Sequence, residues 1–344
     1  MAGPKHTQVM DCGYEFINAR IRGMRSRMAE HRRLDQLCRS RNLFDLAEQL
    51  FPGREFASHL ELERAVVTDH AGQLIALLRY LNPRDGEFYH GLMMRYVIEN
   101  VKVTTRVLGT PGGSELVEDN LVPLPPPMEP TVSRLASLGD LEGLPELFDR
   151  EHFRRAADSA LAHFKRTNNL YYFEATLDRA TFTNLVELAR RYRGSVRRGL
   201  AQLLDTEIAI YNALFLLRGR TLHNMDYQAL REFLVETTDP ETTESYRQLV
   251  HVEDLKEFAS RLPNRQLRKL SHKSFYTDYE FEQTLWHRLF ELANRTFYKA
   301  ILELPGLVAF TYVKRMELLN LLRLIEGLRY GMGPQHLSDA MVRV

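Results

Sequence analysis

Three times in this chain an asparagine sits inside an apolar helical run, with a charged residue six positions later. The copies run from Tyr96 to Arg106 (Asn100, Arg106), Ile208 to Arg218 (Asn212, Arg218) and Tyr312 to Glu326 (Asn320, Glu326). Their asparagines lie 112 and 108 positions apart. Solenoid units span roughly 20–50 residues, so this interval points instead to one domain copied three times. A buried amide left unpaired costs on the order of 1–3 kcal/mol. Each asparagine is therefore expected to bond a neighbouring segment and lock helices in register, rather than to bind a ligand. The charged residue six positions on falls about 120° short of two full turns and need not share the asparagine's face. Glu99, Glu207 and Glu317 stand at different offsets from their asparagines, so no common acid–asparagine pair is read.

The apolar period is helical almost throughout. Leu62, Ala65, Val66, Leu74, Leu77, Leu78 and Leu81 form one stripe, and Leu185, Leu188, Ala189, Tyr192, Val196, Leu200, Leu203 and Leu204 form another. Phe281, Leu285, Leu289, Leu292 and Ala293 repeat the spacing, and no stretch alternates convincingly with a period of two. The expected class is all-α. Breakers divide the chain at Pro83–Gly86, at Gly109–Gly113 and at Val122–Pro130, where five prolines favour extended backbone. Further breaks fall at Glu236–Thr243 and at Pro305-Gly306, the latter expected to precede the last helix. Three helical repeats are expected, at residues 1–121, 122–239 and 240–344. A second marker supports them: Asp45-Leu46, Asp140-Leu141 and Asp254-Leu255 each precede an asparagine helix, and each aspartate suits the cap of a short helix.

Catalytic chemistry finds little purchase. The glycines at 109–113 lack the Lys-Ser/Thr of a phosphate loop, the twelve histidines form no HExxH, and there is no GxSxG. No catalytic residue, metal ligand or cofactor is assigned. Cys12 and Cys38 are not in a CxxC and are expected to be free thiols in a reducing compartment. The apolar stretches at 209–217 and 304–313 are too short to span a bilayer. With no apolar signal core, the expected location is cytoplasmic. A formal net charge of +1 gives no global field for nucleic acid. The eight arginines between Arg20 and Arg41 have two readings: a solvated helix face, or contacts to acidic groups of a partner protein, with Arg20, Arg22, Arg25 and Arg27 as candidates.

Several segments resemble the C subunits of the prokaryotic A/V-type rotary ATPases, the counterparts of the d subunit of the eukaryotic V-ATPase. Tyr14 to Arg25 (YEFINARIRGMR) is similar to the family's opening stretch, and Tyr312 to Ile325 to its terminal helix. Glu174 to Phe182 resembles its mid-chain block, and Glu207, Asn212, Leu217 and Arg218 resemble its central asparagine helix. Val101, Thr105, Ala209 and Tyr211 depart from the residues more usual there.

The resemblance implies three similar helical domains around a pseudo-threefold axis, forming a funnel. It further implies a non-catalytic central-stalk connector that joins the D and F subunits of the axle to the c/K subunits of the membrane rotor ring. Such a protein transmits the torque that couples ATP hydrolysis or synthesis to proton or sodium transport. It sits peripherally on the cell membrane, without crossing it, and has no nucleic-acid or small-molecule partner. Two other readings stay open. One is an α-helical adaptor or scaffold unconnected to ion transport; the other is an enzyme with an unrecognised site.

Overall fold

The computed structural model describes residues 13–110, 113–264, 266–267 and 277–343; Cys12 lies outside them. Among the described residues there is no strand. In chain order the helices are α1 (Gly13–Arg25), α2 (His31–Leu37), α3 (Leu43–Leu50), α4 (His59–Ile75), α5 (Pro83–Leu108), α6 (Val117–Asn120), α7 (Glu129–Ala136) and α8 (Glu151–Thr167). They continue as α9 (Leu170–Arg190), α10 (Gly194–Thr221), α11 (Tyr227–Glu232), α12 (Pro240–Gln248), α13 (Leu255–Ser260), α14 (Asp278–Lys299), α15 (Leu304–Arg329) and α16 (Pro334–Asp339).

One motif recurs three times in this order. A helix of about five to six turns is followed by a longer helix and then by a short one. The triplets are α4-α5-α6, α9-α10-α11 and α14-α15-α16. The long members α5, α10 and α15 carry Asn100, Asn212 and Asn320.

Local chemistry explains most of the helix ends. Ser58 caps α4 by accepting the Glu61 amide, and Asn169 caps α9 by accepting that of Tyr171. Asn168, at φ 51°, takes the left-handed conformation that ends α8 and turns the chain into α9. Proline opens α5 and lies in the first turn of α15, where its missing amide costs nothing. Pro305-Gly306 therefore lies inside α15 rather than before it, and α16 follows as the last helix. Only one of the three Asp-Leu markers caps a helix as expected: Asp254 accepts the Glu257 amide. Asp45 lies within the first turn of α3, whose cap is Asn42, and Asp140 accepts the Glu142 amide in a turn.

Two compact units emerge. One comprises Met1–Asn82 with Leu289–Val344, the other Pro83–Arg288, and the boundary falls inside α14. In the first, α15 is the central helix, buried along most of its length and packed by α1, α3, α4 and α16. Leu34, Leu37, Leu46, Leu62, Leu324, Ile325 and Leu337 belong to its apolar core. In the second, α9 packs against α5, α8 and α10. The core of that unit includes Phe173, Leu177, Leu203, Ile208 and Leu216.

By length and composition α10 could cross a membrane, with a window of mean hydropathy 1.3, but 78% of that window is buried inside the protein. The sequence expectation considered only the apolar stretch at 209–217. The helix built around it is longer, and it serves as a core helix.

Candidate functional site

Each of the three asparagines holds a strand-like segment by both edges of its amide. Asn100 Nδ2 donates to the Val122 carbonyl at 2.8 Å, and the Val122 amide donates back to Asn100 Oδ1 at 2.9 Å. Asn212 does the same with Val235, at 2.9 Å both ways. Asn320 does it with Val342, at 2.8 and 2.9 Å. The partner lies 22, 23 and 22 residues downstream, and in each copy it is a valine. A side-chain amide has one donor and one acceptor in the same sense as a peptide, so it pairs with a backbone as a neighbouring strand would.

Each clamp pulls the chain back after the short helix. Leu121, Leu234 and Met341, the residues just before the three valines, are all buried. In the second and third copies the short helix lies directly on the long one at a glycine seven positions past the asparagine. A Cβ on Gly219 would collide with Leu230, and one on Gly327 would collide with Leu337. In the first copy Val107 occupies that position.

The charged residue six positions past each asparagine has a different task. It points to the first helix of another triplet. Arg106 on α5 grips Glu174 on α9 with Nε and Nη2, both at 2.7 Å. Arg218 on α10 reaches Glu282 on α14 at 2.7 Å, and Glu282 also accepts from Nε1 of Trp286 at 3.2 Å. Glu326 stands on α15 and Glu63 on α4, two helices that pack directly on each other. Glu63, Glu174 and Glu282 are themselves 111 and 108 positions apart, close to the interval of the asparagines. In each case, taken in order as the first, second and third joint, the residue six positions past the asparagine and its counterpart lie on the long helix of one triplet and the first helix of another.

The first joint carries a second ion pair one turn away. Lys102 Nζ lies 2.6 Å from Asp178 and 3.0 Å from Glu99, and the lysine is buried. Burial pushes Asp178 up to about 6 against the pull of Lys102. Burial acts to lower Lys102, but Asp178 and Glu99 outweigh it and hold the ammonium above its usual range. Equivalent positions hold Leu214 and Trp286 at the second joint, and Leu322 and Val67 at the third.

The three acids near the asparagines diverge, as their offsets imply. Glu99 pairs with Lys102. Glu317 accepts the Ala29 amide and pairs with Lys314. Glu207 receives both guanidinium nitrogens of Arg95 at 3.0 and 3.2 Å. Arg95 and Glu207 each stand five positions before an asparagine, so equivalent positions of two copies touch.

Three of the four arginines singled out as partner contacts are engaged within their own unit. Arg25 stacks over Phe297 and Tyr298, 4.8 and 5.1 Å from the ring centroids, and pairs with Glu30. Arg22 lies over the same rings and donates to Asn18. Arg20 lies over Tyr80. Arg27 is exposed. Arg20, Arg27 and Arg33 also line a cavity of about 410 Å³ with Asp69 and Lys314. Cys38 is a buried free thiol, held above its ordinary range by burial. Among the described residues, no cluster of three or more His, Cys, Asp or Glu side chains could hold a metal ion.

Sequence reasoning missed the three valines and the acids Glu63 and Glu282. The signal for the acids was present, because their spacing with Glu174 follows that of the asparagines. The valine contacts are to backbone and leave no residue signature.

Three long helices, each clamping its own return segment, run through an all-α protein. The chain belongs to the ATP synthase (C/AC39) subunit family, whose model matches residues 17–339. It is similar to the C subunit of the A-type ATP synthase of Thermococcus kodakarensis, 22% identical over 232 residues, which are 64% of this chain and 61% of that one. It is also similar to the protein of the same name in Thermococcus gammatolerans, 25% identical over 218 residues, 60% of this chain and 57% of that one. The matched region thus spans less than two thirds of these curated relatives.

Proposed function

We propose that this chain is the non-catalytic central-stalk connector of an A/V-type rotary ATPase, peripheral to the membrane. In this reading it joins the D/F axle to the membrane rotor ring and passes torque between them. Family membership supports the assignment to the complex. The observation that carries the connector role is the set of three equivalent joints. A succession from first to second, second to third and third back to first copy is the connectivity of a closed ring.

The Arg95–Glu207 pair supports an axis, because equivalent positions of two copies meet only close to a rotation axis. We divide the chain into the three repeats expected from sequence, with the first boundary moved past Val122, since its clamp belongs to Asn100. The repeats then surround the axis as a funnel.

Partner faces follow from the same frame. Exposed apolar side chains follow the three long helices, at Leu116 eight residues past α5 and at Leu222 and Tyr330 directly after α10 and α15. We assign each of these exposed side chains to contact with a partner, which would cover it. The cavity lined by Arg20, Arg27 and Arg33 suits acidic groups of a partner. Each translocated charge supplies about 2.3 kcal/mol per 100 mV. The joints and docking faces must hold against several such steps.

The test is reconstitution with and without this chain. Omitting it should leave ATP hydrolysis by the soluble head intact while abolishing ATP-driven ion transport across the membrane. Loss of hydrolysis by the head, or ATP turnover by this chain alone, would refute the assignment.

A further inference from the structure

One cavity of the first unit gathers more positive charge than its own residues neutralise. It measures about 410 Å³ and is lined from α1, α2, α3, α4 and α15. Arg20, Arg27, Arg33 and Lys314 face two carboxylates there, Asp69 and Glu317. Glu317 is already engaged by Lys314 and the Ala29 amide. Asp69 is exposed and accepts from Gln73 Nε2 at 2.7 Å. The excess positive charge therefore falls on the three arginines, and among the described residues none of them is in an ion pair.

The arginines are held in place without using up their donors. Arg33 Nη1 donates to the Arg27 carbonyl, which keeps these two residues together. Arg20 lies over the Tyr80 ring, 5.3 Å from its centroid, a contact that uses no N–H. Arg27 and Arg33 are exposed, so water alone could satisfy them. Water does not account for Arg20, whose Nε is buried and has no hydrogen-bond partner. Buried donors are rarely left so. Arg20 can turn toward an anion without breaking a bond.

Like charges gathered in one cavity repel, and an oxyanion both removes the repulsion and accepts their N–H groups. The charge excess selects the anion. A single carboxylate neutralises one charge and offers two oxygens. A phosphate monoester carries about −1.5 to −2 at pH 7 and offers three. Guanidinium forks match phosphate with two parallel bonds each. The remaining wall is largely apolar, with Phe51, Val66, Leu318 and Leu321, and suits a carbon body attached to the phosphate.

We propose that this cavity binds a small organic phosphate, its phosphate group held by Arg20, Arg27 and Arg33 and its body against the apolar wall. The proposal concerns the cavity alone and does not rest on the rotary role. A phosphate bound there would keep out the acidic groups of a partner, so the two occupants compete.

Isothermal titration calorimetry of the full-length protein tests this, with phenyl phosphate, inorganic phosphate and succinate as probes at matched ionic strength. Phenyl phosphate should bind saturably at one site, inorganic phosphate more weakly, and succinate weakest. Arg33→Gln, at an exposed position where the fold is safe, should weaken phenyl phosphate by about tenfold or more, and Arg20→Gln should do the same. Arg39→Gln, exposed and outside the cavity, should bind as wild type does. Absence of saturable phenyl phosphate binding would overturn the proposal, as would undiminished binding by Arg33→Gln and Arg20→Gln. Succinate bound as tightly as phenyl phosphate would also overturn it, and would mark the cavity as a site for carboxylates.

Discussion

Replacing Asn212 by leucine is expected to destabilise the protein by roughly 2–5 kcal/mol, the largest effect of any single clamp change. Leucine has nearly the same shape, so packing is kept. What it leaves is a buried Val235 amide and carbonyl, each without its partner. Asn212 and Val235 are both fully buried, so water cannot replace the lost bonds. The same change at Asn100 should cost less, because Val122 is half-buried and more open to water. Denaturant unfolding gives the total, and hydrogen exchange at the Val235 amide gives the local effect. A variant as stable as wild type, with Val235 still protected, would show that the clamp contributes nothing.

The second large effect is expected at the first joint. Lys102→Met removes the ammonium that faces Asp178 and leaves a half-buried carboxylate without its cation, at a cost of about 1–3 kcal/mol near pH 8. Asp178 is already raised to about 6 and should rise further in the variant. A carboxyl raised in the folded state contributes stability at low pH and loses it as pH rises through its folded value. The loss should therefore shrink toward pH 5, where Asp178 takes up a proton. Lys102→Met combined with Asp178→Leu should recover most of the stability, because an apolar pair can replace a buried ion pair at little cost. Melting curves of both variants at pH 5 and pH 8 check the sign. A deficit in the single variant that does not vary with pH would contradict it.

These residues show what could and could not be read from the chain. An asparagine in an apolar helix is costly, so its threefold recurrence stood out in sequence, and an all-helical fold was legible from the period of its apolar residues. What bonds the amide was not legible, because a backbone N–H and C=O have no residue type. Glu63 and Glu282 were hidden for another reason: an acid on a helix face names no partner, and only its spacing from Glu174 marks it. The arginines of α1 were only partly legible. An arginine-rich helix suggests solvent or a partner, but Phe297 and Tyr298, remote in sequence, supply the faces on which Arg22 and Arg25 lie. Two of the three Asp-Leu markers do not cap a helix, because an aspartate can serve a turn or a first helical turn as readily as a cap.

The most direct test of the central claim is an electron cryomicroscopy map of the assembled rotary complex containing this chain. It should place one copy on the rotation axis, between axle and ring, with the clamps at Asn100, Asn212 and Asn320 related by successive thirds of a turn about that axis. A copy at the periphery of the complex, or three clamps that share no common axis, would contradict the account.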